Sequence, residues 1–207
     1  AAVGQSGTRL VPVFHSKFPA EVGPVRSIRP VDFPMLSPIG AIIGNTGGAG
    51  WVLRYSKKFT DFVVSGKTYM ATKGTGSYAI DGSRVRTLNG VKYYDRAVVV
   101  HPKQLAKQTK KLQDGPQASY FPWAASDAEV STVNGEKAVS IEVPWKKGHT
   151  YDMSYTWDAS KKRYLRSMPW GKHVLADGSR VWTDNVLVIL AKQHFDHHEP
   201  FHDIIDA

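Results

Sequence analysis

The chain has 207 residues, 42% of them apolar and 22% charged, with a net charge of +9; that is enough for one good core or two small lobes, and no apolar run approaches the ~18 to 20 residues of a membrane span. Zero cysteines exclude disulfides and thiolate metal ligands. The charge is uneven: residues 54–114 hold thirteen basic and four acidic side chains, against four and two in 1–53 and ten and twelve in 115–207, so the middle third offers a basic surface to a polyanion such as nucleic acid, anionic lipid or anionic wall polymer.

In chain order, the near alternation of β-branched and aromatic residues from Gly7 to Ser16 predicts a strand. It runs into Val22-Gly-Pro-Val-Arg-Ser-Ile-Arg-Pro30, where Pro24 and Pro30 fix the backbone and make a stiff, irregular connector. Val31 to Leu36 is one or two helical turns, and Gly40 to Asn45 reads as a short buried strand. After the Thr46-Gly47-Gly48 turn, Ala49 to Lys58 has helical composition. From Phe62 to Val100 the signals are β, with Asp81-Gly82 and Asn89-Gly90 as hairpin dipeptides and Ala97 to Val100 as a core strand.

Pro102 at a first-turn position opens a helix that Gly115-Pro116 ends, and along it Lys103, Lys107, Lys110 and Lys111 share a face. Such a stripe is either a solvated face or a polyanion contact. Residues 118–131 read as a long connection. The remainder is antiparallel: a turn at Val133 to Glu136, strands at Val139 to Val143 and Tyr151 to Trp157, a turn at Asp158 to Lys161, a strand at Arg163 to Met168, and Asp177-Gly178 turning into Val181 to Leu190. Asp-Gly-Ser-Arg-Val stands at both 81–85 and 177–181, which we read as shared turn chemistry rather than a duplicated domain.

Three groups of residues carry candidate chemistry. Arg26 and Arg29, with the Ser27 hydroxyl between them, suit bidentate capture of a carboxylate or phosphate; equally, they suit pinning the loop to nearby carbonyls. Glycines leading into a helix start form an anion site as well, so Gly47 and Gly48 are the expected second wall of such a pocket. Because Gly47-Gly48-Ala49-Gly50 lacks the Gly-Lys-Ser/Thr of a P-loop, nucleotide binding is set aside. His194, His197, His198 and His202, with three carboxylates, are possible ligands for zinc, nickel or copper, although no HExxH pattern occurs and Pro200 interrupts the segment. No Gly-x-Ser-x-Gly elbow exists; Ser27 with His15 or His101 as base lacks any connecting spacing.

These residues resemble the YerB-type lipoprotein family of bacterial envelope proteins, whose domain has no assigned function. The resemblance rests on Gly7 to Ser16, on Val22 to Asp32, on the Gly-Ala-Ile-Ile-Gly-Asn-Thr-Gly-Gly run at 40–48, and on Tyr164 to Ser167 and Thr183 to Val186. It implies export and a lipid anchor on a cysteine upstream of residue 1, on the outer face of the cell membrane, with the chain as a portion of the domain. Where relatives tend to have Arg-x-Ala-Pro-His-Asn-Leu-Tyr, Val91 to His101 reads differently.

The expectation is an α+β protein: a mixed α/β lobe over residues 1–117 and an antiparallel β lobe over 118–207, with one continuous domain as the alternative. The leading function is a non-catalytic binder of an anionic envelope component, or an accessory subunit docking on a membrane protein complex, without a cofactor. The anion pocket is expected at Arg26, Ser27, Arg29, Gly47 and Gly48. A wall-polymer hydrolase would instead need two acid/base groups in a cleft beside Ser27. A nucleic-acid binder would use the basic middle third, and export argues against it.

Overall fold

Ile28, Phe33 and Val52 come from three separate stretches of sequence and meet as one buried cluster, with Ile43, Trp51, Tyr55 and Phe59 packed around it. The computed structural model that shows this describes residues 2–4, 7–62, 67–110, 112, 124–126, 135–144, 151–190, 193–198 and 201–206. In chain order the elements are strands β1 (Ala2–Gly4) and β2 (Gly7–Arg9), helix α1 (Asp32–Leu36), strand β3 (Gly44–Asn45), helix α2 (Gly50–Ser56), and strands β4 (Lys67–Thr68), β5 (Tyr78–Ile80), β6 (Arg86–Leu88), β7 (Val91–Tyr93) and β8 (Val98–Val100). Helix α3 (Pro102–Ala106) follows, then strands β9 (Ser140–Val143), β10 (Met153–Asp158), β11 (Arg163–Met168), β12 (Gly171–Lys172), β13 (Trp182–Thr183), β14 (Gln193–His198) and β15 (Phe201–Asp206). The architecture is α+β, in two compact units: residues 12–122 with 192–207, and residues 1–11 with 123–191. Among the described residues no helix is long and apolar enough to cross a membrane.

In the first unit β5 and β8 pair antiparallel, and β3 runs parallel to β4. The proline-bounded connector works as a strap. Val22 exchanges main-chain hydrogen bonds with Val100 at 2.9 and 2.8 Å, and the Val25 N–H donates to the Val98 carbonyl at 2.8 Å. The strap then crosses to the glycine turn, where the Ile28 N–H donates to the Gly47 carbonyl at 2.8 Å and the Thr46 N–H to the Arg26 carbonyl at 3.2 Å. Three main-chain donors of the strap, and its Val22 and Arg26 carbonyls, are thereby satisfied in a segment that belongs to no regular element. Pro30 closes the strap, and the chain enters α1 so that Phe33 is fully buried, stacked on Phe59 at 5.4 Å and edge-on to Tyr55 at 5.8 Å.

The strap lies so close to β8 that Gly23 has no room for a side chain: a Cβ there would stand 2.6 Å from Val99 Cγ1 and 3.2 Å from the Val98 carbonyl oxygen. Val99 is buried on a paired strand and has nowhere to retreat. Gly23→Ala is therefore expected to cost about 1–3 kcal/mol and to lower the melting temperature by roughly 5 to 20 °C. An unchanged melting curve would show that the strap does not pack on β8 in solution.

The second unit is a five-stranded antiparallel sheet, ordered β12-β11-β10-β9 with β13 also on β11. Tyr155 pairs with Arg166 and Trp157 with Tyr164, whose rings lie 4.9 Å apart. The β10–β11 turn is held by Asp158, whose Oδ1 accepts from the Ser160 N–H at 3.1 Å and its hydroxyl at 2.6 Å. The two Asp-Gly-Ser-Arg copies use the same chemistry. Asp81 accepts from Ser83, and Asp177 from Ser179, each through main-chain N–H and hydroxyl together.

Several predicted elements are corrected. The strand expected from Gly7 to Ser16 stops at Arg9, and only Gly44 and Asn45 of the run from Gly40 are strand. Asp81-Gly82 opens a single 3-10 turn over Gly82–Arg84, because the Asp81 carboxylate caps Ser83 instead of leaving a two-residue hairpin. The antiparallel run expected over Val181 to Leu190 contains only Trp182–Thr183 as strand, and Leu187 to Leu190 stand exposed. The helix expected from Pro102 to Gly115 ends at Ala106, since Leu105 is its one buried non-proline anchor and short helices without a packed face are marginal. Lys103 is thus helical, Lys107 is the C-cap and Lys110 lies beyond it, so these three do not lie on one continuous helix; Lys111 lies outside the described residues. Most of the connection expected over 118–131, and part of the turn at Val133 to Glu136, also lie outside them.

Candidate functional site: an arginine cluster on Asp95

A β-hairpin turn decides where the charges of the first unit meet. Asn89 and Gly90 adopt φ of 50° and 77°, the left-handed pair that a two-residue hairpin requires, and β6 and β7 pair in the register Arg86↔Tyr93, Thr87↔Lys92 and Leu88↔Val91. Two residues past Tyr93, Asp95 comes back beside Arg86. Arg86 Nη2 donates to both carboxylate oxygens, at 2.9 and 3.0 Å. Arg26 emerges from the strap, and its Nη1 donates to the Asp95 main-chain carbonyl at 2.6 Å, with Oδ2 of the same residue at 3.4 Å. Arg96 Nε stands 3.9 Å from Oδ2.

Three guanidiniums thus gather on one carboxylate, leaving an excess of two positive charges. The hydrogen bonds from Arg86, with the charges of Arg86 and Arg26, hold the Asp95 carboxyl below the usual carboxylate range. Asp95 therefore remains an anion through the neutral range and fixes its arginines in place. Each arginine side chain is more than half exposed, at 52, 54 and 67% for Arg26, Arg86 and Arg96, so their remaining donors face water and can take further acceptors.

The other residues singled out from sequence take different positions. Arg29 turns back on its own loop: its Nη1 donates to the Ile28 carbonyl at 3.1 Å, while its main-chain N–H donates to the Asp32 carboxylate at 2.7 Å. Ser27 is half-buried between the two arginines. Gly47 and Gly48 do lie along the strap, and a Cβ at Gly48 would sit 3.1 Å from the Ile28 carbonyl oxygen. The Gly47 N–H is already taken by the Asn45 side-chain oxygen at 2.8 Å, and α2 beyond it is seven residues long. The structure thus brings the main chains of both expected walls together and sends the two guanidiniums in different directions. Asn45 is itself fixed by the hydroxyl of Tyr78, which accepts its N–H at 3.0 Å; burial pushes the Tyr78 phenol up to about 12.

An open cleft of about 560 Å³ lies elsewhere in this unit, lined by Phe18, Thr75, Gly76, His101 and Lys103 among others. The His101 Nδ1 is 2.8 Å from the Gly76 carbonyl, and its Nε2 is 3.8 Å from Glu21. Ser27 does not line it. For the histidine-rich end, β14 and β15 form a hairpin that pairs His197 with His202, His194 with Ile205 and His198 with Phe201. Their side chains lie outside the described residues, among which no group of three His, Asp or Glu suited to a metal occurs.

Sequence reasoning missed Arg86 and Arg96 and weighed Asp95 only as one of several carboxylates for acid/base work; extending the Asn89-Gly90 register outward would set Arg84 against Asp95, whereas Arg84 pairs with Asp81 and Arg86 takes Asp95. It also missed a second cationic group, on β11. Arg166 is 4% exposed, and among the described residues its Nε–H has no acceptor and no carboxylate pairs with it. Its Nη1 lies 2.5 Å from His173 Nδ1, and Arg180 donates to the Arg166 carbonyl, to the His173 carbonyl at 2.8 Å and to the Ser167 hydroxyl at 2.8 Å. Burial, then the charges of Arg166 and Arg180, lower the His173 pKa below the ordinary imidazole value, so the ring accepts from Arg166 and carries its proton on Nε2.

That depression has a pH consequence. Between the folded pKa and about 6.5 the unfolded chain binds the extra proton, so stability rises with pH in this window and is lost as pH falls below about 6.5. Wild type is expected to lose melting temperature more steeply than His173→Asn from neutral to mildly acid pH. Parallel curves for the two proteins would remove His173 from the acid response.

A search of the curated proteins found no match. Among solved structures the chain is similar to the YerB protein from Bacillus subtilis, with a TM-score of 0.63 and 15% sequence identity, over 91% of this chain and 59% of that one. The likeness is one of fold, and the chain spans about three fifths of that protein's length. The model for the N-terminal domain of DUF3048, described as a protein of unknown function, matches residues 1–118, and the model for its C-terminal domain matches residues 141–205; the chain belongs to the DUF3048 family.

Proposed function

We propose that this protein is a non-catalytic binder of a polyanion, held at Arg26, Arg86 and Arg96, and that it works on the outer face of the cell membrane, alone or as an accessory subunit of a membrane assembly. One observation carries the binding reading: three half-exposed guanidiniums converge on a single carboxylate that cannot neutralise them. The Asp95 carboxylate orients the forks in advance, so the entropy of ordering three long side chains is already spent before a ligand arrives. The concentration of positive charge in residues 54–114 supports it by raising the local concentration of anions. The location is supported by the resemblance to YerB-type envelope proteins, and it would make an anionic envelope component the natural partner.

Titration with inorganic polyphosphate in a calorimeter tests the binding. Saturable heats that weaken steeply with added salt are expected, as counterion release requires. Heats indistinguishable from dilution at low salt would sink the reading. Cell fractionation tests the location, which fails if the protein is recovered only with the cytosol.

A further inference from the structure

The arginine cluster sits at the foot of a hairpin with an unusual distribution of side chains. Every residue from Arg86 to Arg96 is exposed. Flanking the exposed Asn89-Gly90 turn, Leu88 and Val91 are opposed and are 62 and 55% exposed. Two register steps nearer the base, on the same face, Arg86 opposes Tyr93, which is 43% exposed; Tyr94 follows at 46%. The opposite face carries Thr87 and Lys92. Behind the polar Asn89-Gly90 turn, the order toward the foot is aliphatic, then aromatic, then the cation cluster of Arg26, Arg86 and Arg96 on Asp95.

A dissolved polyanion satisfies the cations but offers nothing to Leu88 and Val91. A bilayer with anionic headgroups satisfies both: aliphatic side chains gain by entering the acyl region, tyrosine suits the headgroup boundary, and lysine and arginine are drawn to the negative surface. The vertical order on this hairpin is the order of those layers. We infer that the β6–β7 hairpin is an interfacial anchor, dipping Leu88 and Val91 into an anionic lipid surface while Arg26, Arg86, Lys92 and Arg96 engage its headgroups. This rests on the reading of the cluster as an anion-binding surface and names that anion as a lipid headgroup layer.

The absence of cysteine from the sequence allows a clean test. Leu88→Cys, labelled with a polarity-sensitive dye, is mixed with vesicles of phosphatidylglycerol and phosphatidylcholine, with vesicles of phosphatidylcholine alone, and with polyphosphate. Lys161→Cys, on the β10–β11 turn, is the labelled control. A blue shift at position 88 only with the anionic vesicles, and none at 161, is expected. In sedimentation, L88S/V91S is expected to partition to those vesicles about tenfold or more weakly than wild type while binding polyphosphate equally well. Both replaced side chains face water, so the variant should melt like wild type, and the dye readout stands independently of it.

Polyphosphate binding without a dye shift, or vesicle binding that L88S/V91S retains in full, overturns the anchor and leaves the polyanion reading intact. A dye shift of equal size with duplex DNA also overturns it, in favour of a nucleic-acid surface. Loss of polyphosphate and vesicle binding alike overturns both.

Discussion

Replacing Arg26, Arg86 and Arg96 together by alanine is expected to weaken polyphosphate binding by two to three orders of magnitude with little change in melting temperature. Hydrogen bonds to charged groups contribute about 1.5 kcal/mol each at the low end, so three lost together come to at most about 4.5 kcal/mol, a little over a thousandfold, and to less where they share one ligand group. The slope of log affinity against log salt should fall by about three, one for each phosphate contact removed. Stability should hold because exposed ion pairs contribute little, typically well under about 1 kcal/mol each. Single substitutions divide the roles: Arg86→Ala should also let the Asp95 carboxyl return toward its ordinary range, because Arg86 makes the hydrogen bonds that lower it most. Arg29→Ala should leave polyphosphate binding unchanged, since its guanidinium turns to the Ile28 carbonyl. If the triple variant binds as wild type does, or if Arg29→Ala alone abolishes binding, the cluster on Asp95 is not the site.

The largest expected loss of stability follows from Phe33→Ala. Phe33 is wholly buried, touches the rings of Tyr55 and Phe59, and lies in one cluster with Ile28 and Val52. Removing the ring leaves a cavity among side chains from the strap, from α1 and from α2, which cannot all close on it at once. A cost of about 3–5 kcal/mol is expected, which is a large share of the stability of an ordinary domain. Calorimetry should show the transition of the unit formed by residues 12–122 and 192–207 shifted down by tens of degrees or absent, with that of the β9–β13 sheet retained. A cost below about 1 kcal/mol would mean that this cluster is not the core of the unit.

Local chemistry wrote much of the fold in legible form. Asn89-Gly90 makes its hairpin because both residues tolerate positive φ, and Val98 to Val100 is buried because three β-branched residues in a row suit a covered strand. Pro34 falls inside the first turn of α1, where a missing N–H costs no hydrogen bond. The turns at Asp81, Asp158 and Asp177 follow from one rule, an aspartate capping the residue two positions on. Errors came where length depends on burial. The lysine-rich segment after Pro102 has helical composition, but among its described residues beyond Pro102 Leu105 alone is buried, and Leu112 is exposed, so the helix stops after five residues.

The arginine-rich connector shows the division most clearly. Its residues by themselves determined a stiff segment with two permanent cations, because prolines restrict the backbone and guanidinium does not deprotonate. Tertiary structure alone decided what each cation does. Arg26 lies sixty-nine positions from Asp95 and meets it only because the strap runs along β8 while the hairpin returns its carboxylate to the same edge. Arg29, three residues from Arg26, is turned the other way by the entry into α1. Charge and stiffness are properties of residues, whereas a charge cluster is a property of the chain's path in space, and that path is fixed by the burial of Ile28 and Phe33 rather than by the arginines.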